Sequence, residues 1–288
     1  IKKPMPYTTL IDSMTLNTRR HDPDWVIVDC RFNLMETAAG RRAYGENHLP
    51  DARYADLDAD LSGPITPETG RHPLPDPAQL AQKLGQWGIN HCTQVVVYDD
   101  LGGMLAAARL WWLLRWLGHE AVAVLDGGLP AWRKAGLPLT AELPVVSAAR
   151  FDARPDDRLW LTTAQVQALS SDYVVLDARG AARYRGEIEP IDPVAGHIPG
   201  AVNLPTDGHL TPEGGFLPKE ELRARFDAAL PGRTPAAVVH SCGSGVTACH
   251  NLLAMAAAEL HGSRLYPGSW SEWIRDPRRP VATGSPIA

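Results

Sequence analysis

The chain has 288 residues, 44% hydrophobic and 21% charged, with a formal net charge of −5. These are globular values, and the length suggests about two domains by the rough rule of ~150 residues each. A mildly acidic balance gives no general attraction to nucleic acid or an anionic membrane, so any positive charge that matters must be local.

The opening stretch IKKPMPYTTL lacks an apolar signal core, so nothing in it directs secretion. A strand is expected in 26-VIVDCR-31, a β-branched run ending in Asp-x-Arg. A second apolar run, 95-VVVYDD-100, follows the motif 48-HLPDA-52. The stretch LAAARLWWLLRWLG is broken by Arg109 and Arg115. It is too short and too charged to span a bilayer, and a buried helix is the expectation. After 124-VLDGGLPAW-132 comes a Pro- and Ala-rich linker at 137–157. The second half then offers strands near Tyr173–Asp177 and Ala236–Ser241. A helix from about Val246 to Leu260 should follow, closed by Gly262.

The two halves repeat one another. VIVDCR matches 174-VVLDAR-179, and HLPDA matches 197-HIPGA-201. The offsets are 177 − 29 = 148 and 197 − 48 = 149. The run 95–100 matches 237-AVVHSC-242 at an offset of 142, and VLDGGLPAW resembles 265-LYPGSWSEW-273. Four matches in one order indicate a duplication. The expected fold is therefore α/β: two duplicated domains, 1–143 and 144–288, each a small mostly parallel sheet flanked by helices.

The four cysteines, Cys30, Cys92, Cys242 and Cys249, form no CxxC pair, so zinc and thioredoxin-like readings are weak. A reducing, cytoplasmic setting fits them. Cys242 stands apart: it ends an apolar run, precedes Gly243-Ser244-Gly245-Val246-Thr247, and a helix follows. Ligands of open α/β sheets bind beyond the carboxyl ends of strands. Glycines let amides approach a central atom, and such a loop aims several N–H groups at one anion. The thiolate is the nucleophile, and this cradle suits it and its persulfide. In the first half, the residue matching Cys242 is Asp100, which has no thiol chemistry. One half is thus expected to react, and the other to support or wall the site.

With these motifs in view, the chain resembles the tandem rhodanese-type sulfurtransferases. The likeness rests on VDCR, GENHLPDARY, VVVYDD, WWLLRWLGH and LDGGLPAW in the first half. In the second it rests on LDARGAARYRGE, GHIPGAVNLP, CGSGVT and YPGSWSEW. The resemblance implies two rhodanese-like domains, the C-terminal one catalytic. Its cysteine takes sulfur as a persulfide and passes it to a thiol or cyanide, with no metal or organic cofactor.

The loop CGSGVT is similar to that of the 3-mercaptopyruvate-using members. Thiosulfate-preferring members resemble CRKGVT, where two cations meet a dianion. A keto-acid thiol carries one carboxylate, which one arginine can hold. By motif that arginine is Arg183, with Arg185 and Arg179 as weaker candidates. Arg179, two residues after Asp177, reads most simply as a structural ion pair or cap. Gly243, Gly245, Val246 and Thr247 complete the substrate loop, with Thr247 able to donate to sulfur or to cap the helix.

The resemblance also carries a Ser-His-Asp relay onto Ser244, His72 and Asp58. A second carboxylate-binding arginine, expected near an E-P-x-P-R-like stretch, is replaced here by Asp192. A thiosulfate:cyanide sulfurtransferase is the nearest rival reading, and a non-enzymatic sulfur-relay or binding module a more distant one. A Cys-dependent phosphatase would need Cys-x5-Arg, but the sixth residue after Cys242 is Ala248. The expected partners are a small-molecule sulfur donor and a thiol acceptor such as thioredoxin or a small thiol. A monomer is expected, with no nucleic acid and no membrane.

Overall fold

A computed structural model describes residues 5–284 of the chain. The first four residues of the opening stretch and the last four of the second domain lie outside the described residues.

Two compact units form. Among the described residues, the first holds 5–62, 75–156 and 210–216, and the second holds 63–74, 157–209 and 217–284. They are not two continuous halves: residues 63–74 belong to the second unit and 210–216 to the first.

The first unit contains β1 (Leu10–Ile11), β2 (Trp25–Asp29), β3 (Arg53–Tyr54), β4 (Gln94–Tyr98) and β5 (Val122–Leu125). They form an all-parallel sheet in the order β1-β5-β4-β2-β3. The second unit contains β6 (Val174–Asp177), β7 (Val202–Asn203), β8 (Val238–Ser241) and β9 (Arg264–Leu265), parallel in the order β7-β6-β8-β9. A single parallel bridge, Trp160 to Leu265, stands where the first unit has β1.

The central strands β2, β4, β6 and β8 are buried throughout. Helices on both faces require this, and it explains why these strands read as continuous apolar runs. The WWLLRW stretch forms the helix Ala106–Trp116, buried at every position except Arg115. No helix among the described residues is long and apolar enough to cross a membrane.

The duplication extends to individual hydrogen bonds. Asp29 accepts from the Arg31 amide and guanidinium as Asp177 does from Arg179, and both pairs are buried. The spare donors of the two arginines reach the Asn47 and Gly196 carbonyls. Tyr44 stacks on His48 at 4.0 Å, and Tyr184 on His197 at 3.7 Å. Trp132 donates to the Pro138 carbonyl as Trp273 does to that of Pro280. The LDAR arginine, Arg179, is thus the structural ion pair it resembled.

Three local expectations change. The strand expected from Ala236 begins at Val238, because residues Pro235–Ala237 form a 3₁₀ turn. The second-half helix is shorter, Ala248–Ala257, and Gly262 does not close it. Glu259 does, at φ 57°, while the Leu260 amide returns to the Met255 carbonyl at 2.8 Å. The third concerns the counterpart of Cys242. In the sheet register Asp29 pairs with Tyr98, and Asp177 pairs with Ser241. The residue after Tyr98 is Asp99, so Asp99 rather than Asp100 occupies the position of Cys242.

His240, within β8, is fully buried, and among the described residues neither ring nitrogen has a hydrogen-bond partner. Burial, helped by the nearby His209, pushes its pKa down to about 3. It stays neutral in the native state, whereas the unfolded chain protonates it below about 6.5. The unfolded state therefore binds more protons in this window, and stability falls as pH drops from about 6.5 toward 3. Urea-unfolding midpoints measured between pH 7 and pH 4.5 should decline, and His240→Leu should flatten that decline.

Candidate functional site

Cys242 follows β8 directly, and its residue is 2% exposed. The turn after it, 242–247, leads into the helix Ala248–Ala257. Gly245 donates its amide to Cys242 Sγ at 3.2 Å. It sits at φ 77°, and a side chain there would collide with the Pro267 carbonyl oxygen and lie 2.8 Å from Pro267 Cα. Both the left-handed backbone and the close approach demand glycine.

The backbone of Cys242 is pinned from a second loop. Its amide donates to Ser269 Oγ at 3.0 Å, and its carbonyl accepts from the Trp270 amide at 3.0 Å. Ser271 N then donates to the Gly243 carbonyl at 2.8 Å. Ser269 holds φ 51°, a conformation seldom adopted outside glycine, and its hydroxyl also donates to the Tyr266 carbonyl. The motif YPGSWSEW contains Ser269 and Ser271 but does not announce their roles. Its Trp270 and Trp273 are core residues, 1% and 3% exposed.

Val246 is buried, and its carbonyl accepts from the Cys249 amide at 3.0 Å. Thr247 stands at the helix N-cap in a helical conformation, and its side chain makes no capping hydrogen bond. The capping alternative is thereby removed. Cys249 is a packed helix residue whose thiol faces the Gly245 carbonyl at 3.3 Å.

At the matching strand end of the first unit a carboxylate takes the amides. The Asp99 carboxylate accepts from the amides of Gly103 at 2.8 Å, Leu101 at 2.9 Å and Leu105 at 3.3 Å. Its carbonyl accepts from Leu129 N as the Cys242 carbonyl does from Trp270 N. Burial raises the Asp99 carboxyl despite these amides.

His72 and Ser244 meet. The histidine lies in the 63–74 segment of the second unit, and its Nδ1 is 2.6 Å from Ser244 Oγ, both residues being buried. Asp58 lies in the first unit, in a turn where its amide donates to Asp56 Oδ1 at 3.0 Å. Burial, and then the Asp56 charge, raise its carboxyl.

Arg183 lies in the last turn of the short helix Ala181–Tyr184. It donates to Glu189 at 2.7 Å and lies 3.4 Å from Asp192 Oδ2. Arg185 pairs instead with the exposed Glu187. Asp192 is buried and also accepts a hydrogen bond from Arg71. A Cβ built on Gly243 would stand 2.9 Å from Arg71 Nη2 and 3.7 Å from Arg183 Nη2, so both guanidiniums converge over the loop. Arg71 was visible in the sequence only as the neighbour of His72. Its partner is 121 residues away, and no local pattern announces it.

Burial raises the Asp192 carboxyl, with Arg71, Arg183 and Arg179 pulling the other way. Burial also lifts Glu189, but hydrogen bonds from Arg183 and the Asp192 and Ile191 amides outweigh it, leaving that carboxyl below its ordinary value. Among the described residues no cluster of His, Cys, Asp and Glu is arranged to hold a metal.

A strand-end cysteine in an amide cradle, with arginines over it, is an arrangement for sulfur chemistry on an anion. The rhodanese-like domain model matches residues 14–135 and 162–276. A Pseudomonas aeruginosa protein named "Probable 3-mercaptopyruvate sulfurtransferase" is 51% identical over 284 residues, covering 97% of this chain and 100% of that protein. The thiosulfate sulfurtransferase of Rattus norvegicus is 36% identical over 263 residues, covering 88% of this chain and 86% of that protein. The crystal structure of SseA from Escherichia coli, a 3-mercaptopyruvate sulfotransferase by its description, superposes with a TM-score of 0.79. It is 32% identical, covering 92% of this chain and all of that one. The chain belongs to the rhodanese family, with two rhodanese-like domains in tandem. It is an enzyme of the sulfurtransferase class.

Gly245→Ala should cost the left-handed backbone strain, about 1–2 kcal/mol, and the Pro267 collision besides. Gly214→Ala, at φ 86° with open space around it, should cost only the strain. Urea unfolding of the two variants should show a clearly larger loss for Gly245→Ala.

Proposed function

We propose that the protein moves sulfane sulfur from 3-mercaptopyruvate to a thiol or cyanide through a persulfide on Cys242. The observation that carries this reading is the Gly245 amide donating to Cys242 Sγ beneath two converging guanidiniums.

In the first half-reaction the Cys242 thiolate attacks the donor's sulfur, whose carboxylate Arg183 holds. The S–S bond forms as the C–S bond breaks, and its electron pair leaves with the carbon as the enolate of pyruvate. The thiol proton passes to that enolate, and the His72–Ser244 contact offers a route for it. Asp58 is the third member of the relay in this reading. The amides of Gly243, Gly245, Val246 and Thr247 line the cradle that holds the outer sulfur.

In the second half-reaction an acceptor thiolate, from thioredoxin or a small thiol, attacks the outer sulfur and frees the Cys242 thiolate. Cyanide does the same and leaves as thiocyanate. This is ping-pong covalent catalysis, it uses no cofactor, and the acting species is a cytoplasmic monomer. For this purpose the C-terminal repeat, 144–288, carries the sulfur-accepting cysteine, and the N-terminal repeat, 1–143, has no such cysteine but supplies His72 and Asp58. Thiosulfate is the alternative donor, and the specific observation favouring it is Arg71, which brings a second cation to a loop that has none of its own.

Incubation with 3-mercaptopyruvate should add one sulfur atom to the intact mass, and Cys242→Ser should remove that gain. An unchanged mass in the native protein would sink the reading. Arg183→Ala should raise KM for 3-mercaptopyruvate by about tenfold or more, the value of one lost charge-assisted contact. Cyanolysis of a preformed persulfide should be nearly unchanged in that variant, because no donor carboxylate is present in that step.

A further inference from the structure

Three arginines and three carboxylates alternate beside the sulfur. Asp177 holds Arg179, Arg179 lies 3.5 Å from Glu189, and Glu189 holds Arg183. Arg183 and Arg71 then share Asp192. The three positive and three negative charges cancel. They are not equally placed, however. The Arg71 and Arg183 side chains are 25% and 19% exposed, whereas those of Asp192 and Glu189 are each 4% exposed. The guanidiniums form the surface a donor meets, and the carboxylates lie beneath them.

Arg71 is also built into place. Its amide donates to Ser271 Oγ at 3.1 Å, and Ser271 in turn holds the Gly243 carbonyl. Gly70 permits this docking, since a Cβ there would stand 2.7 Å from both the Gly268 carbonyl and Ser271 Oγ. Gly243 completes it, because a side chain at that position would meet the Arg71 guanidinium.

We propose that Arg71 and Asp192 select the charge of the sulfur donor: Arg71 is a second anchor for the donor anion, and Asp192 cancels enough positive charge to favour a singly charged donor over a doubly charged one. The inference rests on the reading of Cys242 as the sulfur acceptor. Its physical basis is Coulombic. An uncompensated charge near the loop attracts a dianion with about twice the energy it gives a monoanion, and an effective dielectric near 20 leaves that difference large at contact distances. With Asp192 ionised the cluster is neutral, and the dianion gains no such advantage. A carboxylate also accepts hydrogen bonds from both guanidiniums, so it orients Arg71 and Arg183 toward one ligand.

The test is the ratio of kcat/KM for thiosulfate to kcat/KM for 3-mercaptopyruvate. Asp192→Asn keeps the shape and an acceptor oxygen while removing the charge. It should raise the ratio by about tenfold, and added salt should shrink the gain. Arg71→Gln should raise KM for both donors, more for thiosulfate, and slow cyanolysis of the preformed persulfide by less than it slows turnover of thiosulfate. A purely structural role for either residue would depress both donors alike, so an unmoved ratio in Asp192→Asn overturns the selector. If the native protein takes sulfur from neither donor, the sulfur-transfer reading fails first, and the selector fails with it.

Discussion

At the carboxyl ends of β4 and β8, backbone amides turn inward and need an acceptor. The first unit meets this demand permanently, with the Asp99 carboxylate under the amides of Leu101, Gly103 and Leu105. The second offers a sulfur, with the Gly245 amide on Cys242 Sγ. Much of the surrounding structure preserves that turn. The left-handed Gly245, the strained Ser269 and the Ser271 amide all hold the backbone against relaxation. Holding donors in advance of the charge they will meet is the physical meaning of a preorganised site.

The charged chain beside the turn links the site to the sheet. Asp177 is the last residue of β6, and its buried pair with Arg179 recurs in the first unit as Asp29 with Arg31. Buried ion pairs are costly unless every polar atom is satisfied. Here Nη2 of each arginine also donates to a backbone carbonyl, Arg179 Nη1 faces Glu189, and the Arg179 head lies 5.0 Å from the Trp270 ring centre. In the first unit the pair is structural. In the second it is the inner end of a relay of charges that continues through Glu189 to Arg183, Asp192 and Arg71.

The parallel sheets, the duplication and the position of Cys242 were legible because each rests on short-range pattern. VIVD and VVLD are continuous apolar runs, and Cys242 with the small residues after it is one contiguous stretch. What was illegible depends on distant partners or single-residue register. The repeat aligns Cys242 with Asp100 by spacing, but its structural counterpart is Asp99, a one-residue slip revealed by comparing the Asp29–Tyr98 and Asp177–Ser241 registers. Glu259 ends a helix where Gly262 was the obvious signal, because the tight turn came earlier than the glycine. Arg71 looked like a loop residue because its contacts with Asp192 and Ser271 arise only when residues 63–74 join the second unit.

That crossing of residues 63–74 has a consequence for how the chain is made and divided. Synthesis runs from the amino end, so Arg71 and His72 leave the ribosome long before Asp192, Ser244 and Ser271 exist to receive them. A gene cut between the two repeats would also separate Cys242 from the histidine and the arginine that sit beside its loop. The duplicated halves, though alike in outline, are therefore no longer separable inheritances: the tandem is kept whole by a dozen residues that one half lends to the other.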